Sequence, residues 1–223
     1  MTDPVSERRG NAIILQGSFN PQILQPAWFA GQGLIREAES ETADINIVHS
    51  EIVAFELDWM HFQVDRDQLT IRSTAKTETP EQVRDLVIGL GQILDHTPIH
   101  LVSIEFFAHY ALADKAQRDA LGWKLVPPDP FKKHLKSAGM RTLKMVGRRT
   151  SEETGNNGVI TTIEPSAAIE PNGVFISVMD QYELGDPAEP NVGSGPAIDC
   201  LKTNWQHSLD RAKAIPADVF SLI

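Results

Sequence analysis

The stretch from Thr77 to Tyr110 constrains this chain most, because it asks for a helix and a strand in immediate succession. Thr79 stands where a helix cap belongs, Pro80 suits the first helical position, and Gln82 can reach back toward the cap. Val83, Leu86, Val87, Leu90 and Ile93 then recur at helical spacing, while Glu81, Arg84, Asp85, Gln92 and Asp95 fill the other side. One side of this helix is built for burial. Pro98 disfavours helix at Thr97, and the β-rich run from His100 to Tyr110 follows at once. A helix lying against a sheet is the expected product.

The flanking sequence extends that sheet. Ala12 to Gln16 reads as a short strand, broken by Gly17-Ser18-Phe19-Asn20-Pro21, where Asn20 caps a short helix or turn. Trp28 and Phe29 read as core anchors beneath it. From Asp44, the residues Ile45, Ile47, Val53, Phe55, Leu57 and Trp59 share one parity, and Phe62, Val64, Leu69 and Ile71 alternate after them. Two strands are implied, with Asp65 to Gln68 as the polar bend. The parity change between Trp59 and Met60 predicts a bulge, or a sheet covered on both faces.

Asp114 to Trp123 predicts a second helix, stopped by Pro127-Pro128, and Phe131 to Ser137 a short basic helix. Met140 to Arg149 reads as a strand, Ser151 to Gly158 as a flexible loop, and Val159 to Ile169 with Val174 to Leu184 as a hairpin around Pro171-Asn172-Gly173. After a Pro/Gly/acid loop from Gly185 to Gly195, Pro196 opens a last helix carrying Ile198, Leu201, Trp205, Leu209 and Ala212 on one side. The apolar ending Val219 to Ile223, beyond Pro216, is expected to dock on the chain's own core or on a second subunit. The fold class is therefore α+β: mainly antiparallel sheet built from hairpins, with amphipathic helices packed on one face. Residues 1–11 are expected to be a mobile tail and 12–223 a single domain, with a possible break in substructure near 126–130.

Composition narrows the functions open to such a chain. Its 223 residues, 41% hydrophobic, suffice for a well-buried core. No apolar run is long enough to span a bilayer and the first residues hold no apolar signal core, so a cytoplasmic protein without membrane contact is expected. One cysteine, Cys200, excludes an internal disulfide and a cysteine-rich zinc site. A formal charge of −10 opposes general binding to nucleic acid.

Within those limits, Ser103, Glu105 and His109 share a parity on the predicted strand, and His61 with Asp58 would join them if the hairpins pair. That set suggests a one-metal site or a His/Glu acid–base pair, against the plainer reading of a polar strand face. His96 is expected to satisfy the end of its helix. Lys132, Lys133, Lys136, Arg141, Lys144, Arg148 and Arg149 gather positive charge that an anion could use, with only Phe131 as an aromatic neighbour. Gly193-Ser194-Gly195-Pro196 opens a helix but lacks the dinucleotide and P-loop patterns.

Gly17-Ser18-Phe19-Asn20-Pro21, Phe55 to Trp59 leading to Val64-Asp65-Arg66-Asp67, Leu94-Asp95-His96-Thr97-Pro98 and Glu164-Pro165-Ser166 together resemble an uncharacterised, sporadically distributed family of bacterial proteins, over roughly residues 11–213. The resemblance implies no activity and no functional residue; such a distribution fits an accessory protein of mobile elements or defence. The function expected from the residues is non-enzymatic binding or assembly with self-association, through sheet edges and the apolar C-terminus, without cofactor or metal. The alternatives are a small-molecule or metal-dependent enzyme using His61, Glu105 and His109, and an anion- or nucleic-acid-docking module over residues 132–149.

Overall fold

A computed structural model describes residues 6–148, 157–185 and 193–223. The first part of the chain forms β1 (Ser6–Gly17), α1 (Pro26–Gly31), α2 (Glu37–Glu41), β2 (Asp44–Val48), β3 (Ile52–Glu56), β4 (Met60–Asp65), β5 (Gln68–Ser73) and α3 (Pro80–Ile93). The second part forms β6 (Ile99–Ala111), α4 (Lys115–Leu125), β7 (Leu143–Arg148), β8 (Asn157–Pro165), β9 (Gly173–Glu183) and α5 (Gly195–Phe220). Among the described residues the strands make one sheet of nine, in the order β2-β3-β4-β5-β1-β6-β9-β8-β7, with antiparallel pairing throughout. No described helix is long and apolar enough to cross a membrane.

The alternation read from the sequence is the alternation of burial. In β4 Met60, Phe62 and Val64 are buried and His61 and Gln63 exposed, and in β5 Leu69, Ile71 and Ser73 are the buried set. A strand's period of two puts each set on one face, and α3 and α5 cover the apolar one. Val83, Leu86, Val87 and Leu90 of α3 and Leu201 and Trp205 of α5 join Ile13, Leu15, Ile71, Val102, Ile104 and Phe106 in the main core. Phe29 from α1 meets Phe55 and Phe62 edge-on, with ring centroids 5.7 and 5.0 Å away, so the short N-terminal helices sit on the same face. A smaller cluster around Val174, Ile176 and Val178 takes Leu121 from α4 and Phe220 from the end of α5.

Polar groups lock the layers. Asp180 of β9, 1% exposed, accepts hydrogen bonds from Ser208 and Arg211 of α5 and from Tyr182. In the first half of the chain Trp59 Nε1 donates to Glu39 Oε1 of α2 over 2.9 Å, and the bonded Arg36 side chain holds that carboxyl below the usual carboxylate range.

Two halves of the chain build matching halves of the sheet. In each a long first strand, β1 or β6, is followed by helix and then antiparallel strands of which the last, β5 or β9, returns to pair with the first; α3 or α5 then crosses the covered face. The halves meet along β1 and β6.

Several expectations need correction. β1 begins at Ser6 rather than Ala12, because residues expected to form a tail continue the ladder with β6; of that expected tail, residues 1–5 lie outside the described residues. The segment 44–73 holds four strands instead of two, since the chain turns at His49–Ile52 and at Leu57–Met60. The second turn, not a bulge, accounts for the parity change, while a register shift lies between Ile45 and Ile47. Phe131 to Ser137 is not a helix: a 3-10 turn over Asp129–Phe131 gives way to Ser137 with φ of 59°, which the α-helical path cannot take. β8 ends at Pro165, where Ser166 Oγ accepts from the amides of Ala168 and Ile169 and draws the chain off the ladder. α5 runs through Pro216 to Phe220, and Phe220 is 5% exposed, so the apolar ending docks on the chain's own core. The expected loop at 151–158 and much of that at 185–195 lie outside the described residues.

Candidate functional site

With the described helices on one side, the other face of the sheet is left open, and it carries the residues expected to do chemistry. Register fixes their places. A single transverse row runs from Glu56 on β3 through His61, Arg72, Ala12 and Glu105 to Met179 on β9. His61 and Glu105 thus share a face and a row but stand three strands apart, about 14 Å at ordinary strand spacing. His109 lies about 13 Å from Glu105 along β6. The three side chains face the same way and do not converge; among the described residues no group of His, Cys, Asp and Glu is placed to hold a metal ion.

Each has instead a local partner. His61 Nδ1 is 3.1 Å from Glu56 Oε2 across the β3–β4 pair, whereas Asp58, its expected support, bonds Lys76 at 2.9 Å. Glu105 lies 3.8 Å from Arg72, whose guanidinium sits 4.0 Å from the centre of the Phe107 ring. Arg72 thereby bridges a carboxylate and an aromatic ring on the open face.

His109 makes the tightest contact. Its Nδ1 is 2.8 Å from Ser166 Oγ, and its ring is 4.9 Å from that of Phe175. Ser166 Oγ already accepts two backbone amides, so its own proton goes to Nδ1, and hydrogen-bond accounting assigns His109 the neutral tautomer protonated at Nε2. Burial, then the charges of Arg8 and Arg72, keep its pKa below the usual imidazole range against the pull of Glu164. A serine hydrogen-bonded to histidine invites comparison with an activated nucleophile. Here the serine is 4% exposed and its oxygen is committed to closing a turn, so the pair fixes the β8–β9 connection to β6.

The basic segment is dispersed. Lys132, Lys133, Lys136 and Arg141 are exposed along the irregular stretch before β7, and Lys132 is held 2.6 Å from Asp129. Lys144 and Arg148 lie on the edge strand β7; Arg149 is outside the described residues. The glycine-containing start of α5 is closed to an anion by the chain: Gly193 has φ of 109°, Ser194 N–H donates to Asp95 O at 3.1 Å, and Ser194 Oγ donates to Gly91 O at 2.6 Å. His96 does not cap α3, which ends at Ile93 under a Leu94 N–H to Leu90 O bond; its side chain is in solvent beside Asp95.

Two features escaped sequence reasoning. One is a cleft of about 670 Å³ on the helical side, between the start of α3 and the last turns of α5, which contains none of His61, Glu105 and His109. Its walls come from five separate segments, so no local pattern announces it. The other is a corner: Gly17 N–H donates to Asp67 O, Ser18 N–H to Pro98 O and Phe19 N–H to Arg66 O, at 3.0, 3.0 and 2.8 Å. Three of the four sequence motifs behind the bacterial resemblance meet there as main-chain joinery. No family model matches the chain, and no curated protein matches its sequence.

Proposed function

We propose that this is a binding or assembly protein that works as a closed dimer, joined by the outer edge of β2. The observation that carries this reading is that β2 is exposed at all of its positions while presenting Ile45, Ile47 and Val48. Sheet edges with unpaired backbone and apolar side chains pair with other strands unless charge or cover prevents it.

The opposite edge offers a useful contrast. β7 is also exposed and carries Met145 and Val146, but Lys144 and Arg148 flank them. Antiparallel pairing of β7 with itself about Val146 would set Lys144 of one copy against Arg148 of the other, a repulsive cross-strand pair. Pairing of β2 with β7 is attractive in charge, but it is head-to-tail and leaves an edge free at each end. Self-pairing of β2 puts its one acid, Asp44, across from an apolar residue and closes after two copies.

Sedimentation velocity over a concentration series tests this. The full chain should pass from monomer to dimer as concentration rises, Ile47→Lys should remain a monomer, and Val146→Lys should behave as the parent. A monomer at every concentration, or a dimer that survives Ile47→Lys, would sink the proposal.

A further inference from the structure

The cleft on the helical side has the composition of a ligand site rather than of a packing gap. Its floor is Phe106, Ala108 and Ile176 from the sheet, and Leu209, Ala212 and Pro216 of α5 form an apolar wall. A volume of about 670 Å³ lies within the ordinary range for small-molecule pockets, which are mostly apolar with a few placed polar groups.

Those polar groups are specific. Asn11, 1% exposed, gives its main-chain N–H to Ser73 Oγ at 2.7 Å and its side-chain amide to Pro80 O at 3.1 Å. Among the described residues nothing takes the Ser73 hydroxyl proton. At the other end Tyr110 packs edge-on against Phe220, ring centroids 4.9 Å apart, and its hydroxyl has no partner among the described residues. Burial keeps that phenol protonated, with Arg9 close enough to pull against the shift. Lys213, exposed and in no described ion pair, stands on the α5 rim.

The acids of the cleft are less available: Glu81 accepts from Trp205 Nε1 at 3.3 Å, and Glu78 is exposed within the field of Arg36. What the chain leaves unanswered is thus the Ser73 and Tyr110 hydroxyl protons and the Lys213 ammonium, beside an apolar wall. In a protein of formal charge −10 the lining is locally balanced, Arg9 and Lys213 against Glu78 and Glu81.

We infer that this cleft binds a small amphipathic monocarboxylate, its apolar body on Ala108, Leu209, Ala212 and Pro216 and its carboxylate between the Tyr110 hydroxyl and the Lys213 ammonium. The inference is independent of the β2 contact, since the cleft lies over β1 and β6 and the outermost strand takes no part in it.

Isothermal titration of the full chain with decanoate, decanol and decyltrimethylammonium tests it, with circular dichroism confirming the fold of each variant. Decanoate should bind at least about tenfold more tightly than the other two, a factor of ten being about 1.4 kcal/mol. Lys213→Glu should weaken decanoate by about tenfold or more and leave decanol unchanged; Ala212→Phe, which fills the wall, should abolish binding of all three. The inference is overturned if decanoate does not bind, if decanol binds as tightly, or if decanoate binds the folded Lys213→Glu protein as it binds the parent.

Discussion

Gly17 shows how a single residue can matter through its lack of a side chain. A Cβ placed there would stand 2.2 Å from the Pro98 carbonyl oxygen, a backbone atom that cannot swing aside. Gly17→Ala should therefore cost about 2 kcal/mol by overpacking, read as a lower urea midpoint with unchanged slope; an unaltered midpoint would mean that the corner yields. Asp180 is the opposite case, a buried carboxylate that gathers donors from two elements. Asp180→Ala removes the shared acceptor of Tyr182, Ser208 and Arg211 from a buried position and should destabilise by about 3 kcal/mol, whereas exposed Asp58→Ala should change little. For His109 the sign follows from its lowered pKa: the unfolded chain binds the proton more readily. Its contribution to stability is complete above the unfolded imidazole value, about 6.5, and is lost as pH falls through the lower folded value. In an NMR titration the His109 ring should respond at lower pH than a free imidazole, and His109→Gln should flatten the fall in stability over that window. A His109 that titrates at or above the ordinary value would remove the basis for its neutral tautomer.

Elements differ in how much of themselves they display in the sequence. α3 was legible because its apolar residues, its first-turn proline and its terminating His96-Thr97-Pro98 all agree, although Thr79 makes no side-chain cap bond and Gln82 Oε1 accepts from Glu78 N–H instead. The strands of the open-faced sheet were legible because one face is covered and one is not, so burial alternates and hydropathy alternates with it. The split of residues 44–59 into two strands was not, because β2 is an edge exposed on both faces and its isoleucines keep the parity of a buried strand without being buried. The fate of the C-terminus was hidden by Pro216. A proline deep in a helix removes one backbone bond, yet here it is buried and the helix continues, since Phe220 gains a place in the second core cluster. Phe220→Ala should accordingly cost about 3 kcal/mol, while Leu222→Ala, at an exposed position just after it, should cost almost nothing. Equal losses would mean that the ending contributes nothing specific. The candidate site was legible only as far as the face: parity correctly puts Glu105 and His109 on one side of β6, but whether they meet His61 depends on how many strands intervene, and strand order is a long-range property that spacing does not contain.

At the scale of the whole molecule, the matching halves raise the question of whether they fold separately. Each has its own returning strand and its own crossing helix, which would favour independence. Three contacts oppose it. The halves share the full β1–β6 ladder, and Trp205 on α5 of the second half donates to Glu81 on α3 of the first. The main core also draws Ile13, Leu15 and Ile71 together with Val102, Ile104 and Leu201, so neither half owns it. Cutting at the seam would turn two long central strands into edges and expose apolar surface from both cores, each fully buried large side chain being worth about 1.5–3 kcal/mol. The two halves should therefore unfold as one. Far-ultraviolet dichroism, which reports the sheet and helices, and the fluorescence of Trp28, Trp59, Trp123 and Trp205, which lie in both halves, should give superimposable denaturation curves. If the signal of Trp59, in the first half, and that of Trp205, in the second, isolated in variants carrying one tryptophan each, separated into distinct transitions, the seam would be an interface between two folding units and not the middle of one.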